Sequence, residues 1–264
     1  MVTTHVMQWS SRFAGGSRFS GFGEPLTRRV RLAFDSAPEQ ARSPTIDLLL
    51  GEAAAFVEPV VRRFRQPLEL ETAERSRIVI LLPGFAAHPL RMRYMAEQLE
   101  GIGHTVKRWG MGHNFGPTEQ NFGLLSRRVE DVRERYGQNV VLVGWSLGGI
   151  FAREIAKRHP LLVDKVVTMG SPFSHTPYSN NVWRIYQMVT GHSVSSPPIE
   201  ARLSEKPPVE TVALWSPRDG VIAPRSACGL PGERDRAVAL RCTHMGFSNS
   251  PEAIRAVARE LADR

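Results

Sequence analysis

The chain has 264 residues, 42% of them hydrophobic and 23% charged, enough to bury a sizeable core without a disulfide framework or a structural metal. Lys and Arg outnumber Asp and Glu by 34 to 26, a formal net charge of +8, but the arginines are scattered in short clusters (Arg28/Arg29/Arg31, Arg62/Arg63/Arg65, Arg91/Arg93, Arg127/Arg128). No run is long or interleaved with stacking aromatics, which argues for solvated faces and against a nucleic-acid partner.

Residues 1 to about 40 are rich in Gly, Ser, Arg and Pro, and are expected to form an irregular arm. They lack the apolar core of a secretory signal, and nowhere does the chain reach the roughly 18 apolar residues of a membrane span, so a cytoplasmic location is expected. Across 45–65, Ile46, Leu49, Leu50, Ala53, Phe56, Val57, Val60, Val61 and Phe64 recur at helical spacing, with Glu52, Glu58, Arg62 and Arg63 between them. The spacing predicts an amphipathic helix that docks on the body of the protein or, through its basic end, touches a membrane surface. Residues 1–76 are thus read as an N-terminal extension and 77–264 as the main domain.

From Arg77 onward strands and helices alternate, the pattern of an α/β fold with a mostly parallel sheet flanked by helices. Ile78–Leu82 reads as a buried strand, Pro89–Glu100 as a helix stopped by Gly101 and Gly103, and Thr105–Trp109 as a short strand. A helix over Glu119–Tyr136 follows, then the strand Val140–Val143, the helix Leu147–His159 and the strand Val166–Met169. Residues 171–208 are rich in Pro, Ser and Asn, with one helical stretch at Trp183–Val189; so long a segment without a strand is expected to be a cap or lid. Val209–Trp215 and Ala237–Cys242 are the last strands, and Pro251–Asp263 the closing helix.

Gly144-Trp145-Ser146-Leu147-Gly148 fits G-x-S-x-G, directly after an apolar strand and opening a helix. Such a turn projects the Ser146 hydroxyl above the sheet, and the strand and helix collide unless the flanking positions are nearly free of side chains. A serine nucleophile needs a base oriented by a carboxylate. His244 is the only histidine in the last 70 residues and lies just past the final strand. Asp219, in the turn after Val209–Trp215, is the only carboxylate of that turn; Glu233 and Asp235 are weaker substitutes, and Asp164 precedes its strand and so sits at the wrong end of the sheet. Backbone donors for an oxyanion are expected from Leu147 and from Phe85, in the loop after the first strand.

Leu82-Pro-Gly-Phe85, Gly144-Trp-Ser-Leu-Gly-Gly149, Gly170-Ser-Pro172, Ser216-Pro-Arg-Asp-Gly-Val221 and Thr243-His-Met-Gly246 together resemble the α/β-hydrolase superfamily, in particular its small bacterial lipase and esterase branch. The resemblance runs from about Arg77 to the C-terminus and leaves residues 1–76 uncovered. It implies a Ser146–Asp219–His244 triad, an oxyanion hole from Phe85 and Leu147, and cleavage of a carboxylic ester of a small-molecule or lipid substrate. An acyltransferase or thioesterase on the same triad, or a silent hydrolase fold used for binding, are the alternatives. Pro83-Gly84 stands where many lipases have His-Gly. Trp145, Met111, Phe115, Phe173, Tyr178 and Met245 are expected to line the substrate site, with His113 structural. No cofactor is called for, and no residues have metal-ligand spacing. Cys228 and Cys242, the only cysteines, are either free thiols or a bridge bracing the loops of the acid and the histidine.

Overall fold

The computed structural model describes residues 25–53, 57, 68–199 and 201–262. Six strands form one sheet: β1 (Ile78–Leu82), β2 (Thr105–Arg108), β3 (Val140–Trp145), β4 (Val163–Met169), β5 (Glu210–Trp215) and β6 (Arg236–Ala239). They are ordered β2-β1-β3-β4-β5-β6, and every pairing is parallel. Strands buried on both faces need no polar alternation, which is why β1 and β3 are continuous apolar runs.

Strand parity divides the core into two layers. Val79, Leu81, Val141, Val143 and Trp145 point to one face, where they meet Met95 and Leu99 of α3 (Arg93–Gly101) and Ile254 and Val257 of α8 (Pro251–Ala262). Ile78, Ile80, Leu82, Val140 and Leu142 point to the other, against Phe122, Leu125 and Val129 of α4 (Glu119–Tyr136) and Phe151 and Ile155 of α5 (Leu147–Arg158). The α4 boundaries follow from local chemistry: the Thr118 side chain accepts from Asn121 N at its start, and Gly137 takes a left-handed φ of 63° at its end. The expected helix over Pro89–Glu100 is a 3-10 turn over Pro89–Met92 followed by α3.

Other boundaries shift for identifiable reasons. The last strand ends at Ala239 rather than Cys242, because Leu240 N donates to Trp215 O and Arg241 N then turns to the Glu252 carboxylate. Between β5 and β6 lies a short helix, α7 (Pro224–Cys228), to which the sequence pattern assigns no element. The described residues of 171–208 carry one helix, α6 (Trp183–Thr190), and no strand. The far end of this segment is tied to α5 by Arg153, a buried guanidinium that donates to the carbonyls of Leu203, Glu205 and Glu233 and lies 4.1 Å over the Phe173 ring. Burial pulls this guanidinium down to about 10, against the opposing charges of Glu154 and Glu233.

The N-terminal arm is not irregular throughout. Leu26–Ala33 forms α1, which lies on α6: Arg29 Nη1 donates to Val189 O at 3.0 Å, and Gln187 Nε2 donates to Leu32 O. Of the amphipathic stretch 45–65, Ile46–Gly51 is helix (α2), with Ile46 and Leu50 exposed; residues 54–56 and 58–67 lie outside the described residues. Cys228 and Cys242 are free thiols, and burial pushes Cys242 up to about 12, with Glu252 adding to the effect. Among the described residues no helix is long and apolar enough to cross a membrane.

Candidate active site

In a parallel sheet of this order the connections diverge between β1 and β3, and a crevice opens there at the carboxyl ends of the strands. Ser146 stands in this crevice, between β3 and α5. Its backbone has φ 54° and ψ −123°, a conformation that only a tightly constrained non-glycine residue keeps. The constraint is visible: Ser146 N donates to Met169 O at 2.8 Å, and Gly149 N donates to Ser146 O at 3.0 Å. A Cβ on Gly144 would stand 2.4 Å from Gly148 O, and one on Gly148 only 2.2 Å from Leu82 O. Gly144 therefore lets α5 start close against β3, and Gly148 brings α5 against the end of β1. Gly148→Ala should force that end away, at about 1–3 kcal/mol of overpacking. A melting point lower by roughly 2–12 °C is expected, with a turnover loss out of proportion to it, because the Leu147 and Phe85 amides separate.

His244 follows β6 and is 4% exposed; Asp219 follows β5 and is fully buried. His244 Nδ1 and Asp219 Oδ2 are 2.8 Å apart. The other Asp219 oxygen, Oδ1, accepts from Val221 N at 2.8 Å and Ile222 N at 2.7 Å, so the carboxylate is held by its own turn. Trp145, next to the serine, donates its indole N–H to His244 O at 3.0 Å, and its ring centroid lies 5.7 Å from the imidazole. The histidine loop is thereby pinned to the serine turn. Asp235 and Glu233 are committed elsewhere: Asp235 Oδ2 binds Lys206 Nζ and Thr211 N, and Glu233 Oε2 accepts from Leu230 N. Asp164 is paired with Arg77 at the opposite end of the sheet.

Phe85 and Leu147 both face the cavity beside Ser146. The Leu147 amide is the first of α5 and has no partner within its helix. The Phe85 loop is held by Asn114, which sequence reasoning passed over in favour of its neighbours. Buried Asn114 donates through Nδ2 to Pro83 O at 2.8 Å, and its carbonyl accepts from Ala86 N at 2.7 Å, fixing Ala86 at φ 56°.

The cavity has a volume of about 790 Å³, its open mouth included, and its wall is almost entirely apolar. Phe122, Ile150 and Phe151 come from the helical layer beneath, and Trp183, Tyr186, Ile199 and Leu203 from the 171–208 segment above. Burial raises the Tyr186 phenol above its ordinary range, and its ring lies 5.2 Å from Phe85.

None of the six side chains expected to contact substrate lines this cavity. Trp145 and Met245 pack into the layer on the other face of the sheet, where strand parity sends the indole. Met111 packs on the α4/α5 layer, and Phe115 stacks on His113 at 5.6 Å. Phe173 is buried under Arg153, and Tyr178 sets its ring against Trp183 and its hydroxyl toward Ser193 and Ser195. Glu52, read as a polar residue of the amphipathic stretch, is instead buried and accepts from the backbone N–H of His244. Among the described residues no three His, Cys, Asp or Glu side chains converge on a point that could hold a metal.

A family model described as the alpha/beta hydrolase fold matches residues 77–189. A pimeloyl-[acyl-carrier protein] methyl ester esterase of Nitrosospira multiformis is 27% identical over 130 residues, 46% of this chain and 48% of its own. One of Vibrio cholerae is 37% identical over 68 residues, 26% of each chain. The chain thus spans between about a quarter and a half of the length of these curated relatives. Among solved structures, the mature form of a Bacillus licheniformis lipase superposes with a TM-score of 0.56 at 17% identity, over 74% of this chain and 96% of its own. A Paleococcus ferrophilus monoacylglycerol lipase gives 0.51 at 16% identity, over 74% and 95%. With its parallel sheet of this order and its strand–Ser146–helix turn, the chain has the α/β-hydrolase fold.

Proposed function

We propose that the chain is a serine carboxylic-ester hydrolase acting on an ester with an apolar acyl group, with Ser146, His244 and Asp219 as its triad. The observation that carries this reading is the buried Asp219–His244 hydrogen bond, tied through Trp145 to a strained Ser146 that opens on an apolar cavity. Asp219 holds the imidazole with Nδ1 protonated, which leaves Nε2 free to take the Ser146 proton. Ser146 Oγ then attacks the acyl carbon, and the Phe85 and Leu147 amides stabilise the oxyanion. His244 returns the proton to the departing alcohol. Water, deprotonated by the same nitrogen, then attacks the acyl-enzyme; the acyl–Oγ bond breaks, the acid leaves and His244 returns the proton to Ser146 Oγ.

The substrate class follows from the wall. Phe122, Phe151, Trp183, Ile199 and Leu203 offer dispersion and burial to an acyl chain and nothing to a charged one. That the curated relatives are esterases of an acyl methyl ester supports an ester as the bond cleaved. The test is labelling with a fluorophosphonate, the modified residue located by peptide mass spectrometry, alongside hydrolysis of p-nitrophenyl esters of rising acyl length. Labelling at Ser146, with kcat/KM rising with chain length until the cavity is filled, is expected. A folded protein that is labelled nowhere and hydrolyses none of the esters would sink the proposal.

A further inference from the structure

Glu52 is 8% exposed and belongs to the stretch that precedes the hydrolase fold by sequence. Its Oε1 accepts from Gly220 N at 2.9 Å and from His244 N at 2.7 Å, and its Oε2 from Met245 N at 2.9 Å. Gly220 directly follows Asp219, so one carboxylate is bonded to both loops whose side chains meet in the Asp219–His244 pair. The surrounding chain is built to bring it there. A Cβ on Gly220 would stand 2.3 Å from Leu48 O, so only glycine lets α2 lie against the acid loop. Asn181 Nδ2 bonds both Pro44 O and Gly220 O, at 3.1 and 2.8 Å. A buried carboxylate is costly unless its oxygens are satisfied, and here three charge-assisted bonds to backbone amides do so.

We propose that Glu52 is a positioning residue of the Ser146 site: a carboxylate from the N-terminal extension that fixes the acid loop and the histidine loop relative to each other. This inference rests on the triad reading above. The need for such a tie lies in the topology. The histidine loop leaves β6, a four-residue strand at the sheet edge, and its ties back to the sheet are single hydrogen bonds, Leu240 N to Trp215 O and Trp145 Nε1 to His244 O. Proton transfer tolerates little drift, since about 1 Å of misplacement costs on the order of 10²-fold in rate. Glu52 holds the backbone from which the imidazole projects. It does not line the cavity, so it acts on turnover and not on binding.

The experiment compares wild type, Glu52→Gln, Glu52→Ala and a Ser146→Ala control. Glutamine keeps one acceptor oxygen but sets its NH2 against a backbone N–H; alanine releases all three amides. For wild-type KM values held within about twofold, kcat is expected to fall about 10-fold in Glu52→Gln and about 100-fold in Glu52→Ala. The second readout needs no activity: the far-downfield proton of the His244 Nδ1–Asp219 hydrogen bond in the NMR spectrum. It should be sharp in wild type and Ser146→Ala, and broadened or lost in Glu52→Ala. Glu52→Ala that melts cooperatively, with kcat within threefold of wild type and the downfield proton intact, would overturn the proposal. Should Glu52→Ala fail to fold, the same two readouts on Glu52→Gln decide. If wild type itself is inert, the ester-hydrolase reading fails separately, and the downfield proton alone decides for or against Glu52.

Discussion

Ser146→Ala should abolish ester hydrolysis, with a loss in kcat on the order of 10⁶, while the protein folds and melts much as wild type does. Alanine keeps the Cβ, so the strained backbone at φ 54° is as costly as before, and the turn is held by backbone bonds to Met169 and Gly149, which the substitution leaves in place. Ser146→Gly separates strain from chemistry. Glycine adopts this conformation freely, so about 1–3 kcal/mol of stored strain is released. The melting point should then rise, by roughly 2–4 °C per kcal/mol, in a variant as inactive as the alanine. Thermal denaturation and ester turnover on the two variants together check this. An alanine variant with a tenth of wild-type activity would remove Ser146 as the nucleophile. A glycine variant that melts below the alanine would show that the elbow is not a strained site. Stability bought by losing function is the expected sign of strain kept for catalysis.

Much of this arrangement is legible in the residues themselves, because it is written in side chains with a fixed period or a fixed chemistry. The apolar runs of β1 and β3 can only be buried on both faces, and the Gly144–Gly148 spacing only makes sense where strand and helix nearly touch. That His244 and Asp219 should meet could be read from chain order and from the end of the sheet on which their loops emerge, and their side chains lie 2.8 Å apart. The α4 helix announces both its ends, through Thr118 and Gly137.

What was not legible depends on backbone partners or on the facing of loops. Glu52 bonds to amide groups 168, 192 and 193 residues away in sequence, and an amide has no side-chain signature. Within a helical pattern it looked like any solvated carboxylate. Asn114 works in the same way, through the Pro83 carbonyl and the Ala86 amide. The expected substrate contacts that lie away from the cavity have a different origin. Phe173, Tyr178, Met111 and Phe115 belong to segments without a repeat, so composition shows that apolar groups are present but not which of them turn inward. Trp145 was open to correction from sequence alone: it alternates with Gly144 on β3, and its parity matches Val141 and Val143, which face the layer opposite α5.

Asp219→Asn should lower kcat by about 10⁴ with KM nearly unchanged. The geometry leaves the amide no alternative. Oδ1 already accepts from Val221 N and Ile222 N, so the asparagine oxygen takes that place and its NH2 points at His244 Nδ1. Facing a donor, Nδ1 must become the acceptor, and the ring proton moves to Nε2. That nitrogen is then unable to take the Ser146 proton, although no heavy atom has moved. Asp219 is fully buried, so water does not reach in to restore the tautomer, and Glu233 and Asp235 are held by other partners. The variant should therefore bind ester normally, label slowly with a fluorophosphonate, and show the imidazole tautomer reversed by ¹⁵N NMR. Activity within tenfold of wild type would mean that another group orients His244, and a parallel rise in KM would place Asp219 in the cavity wall instead.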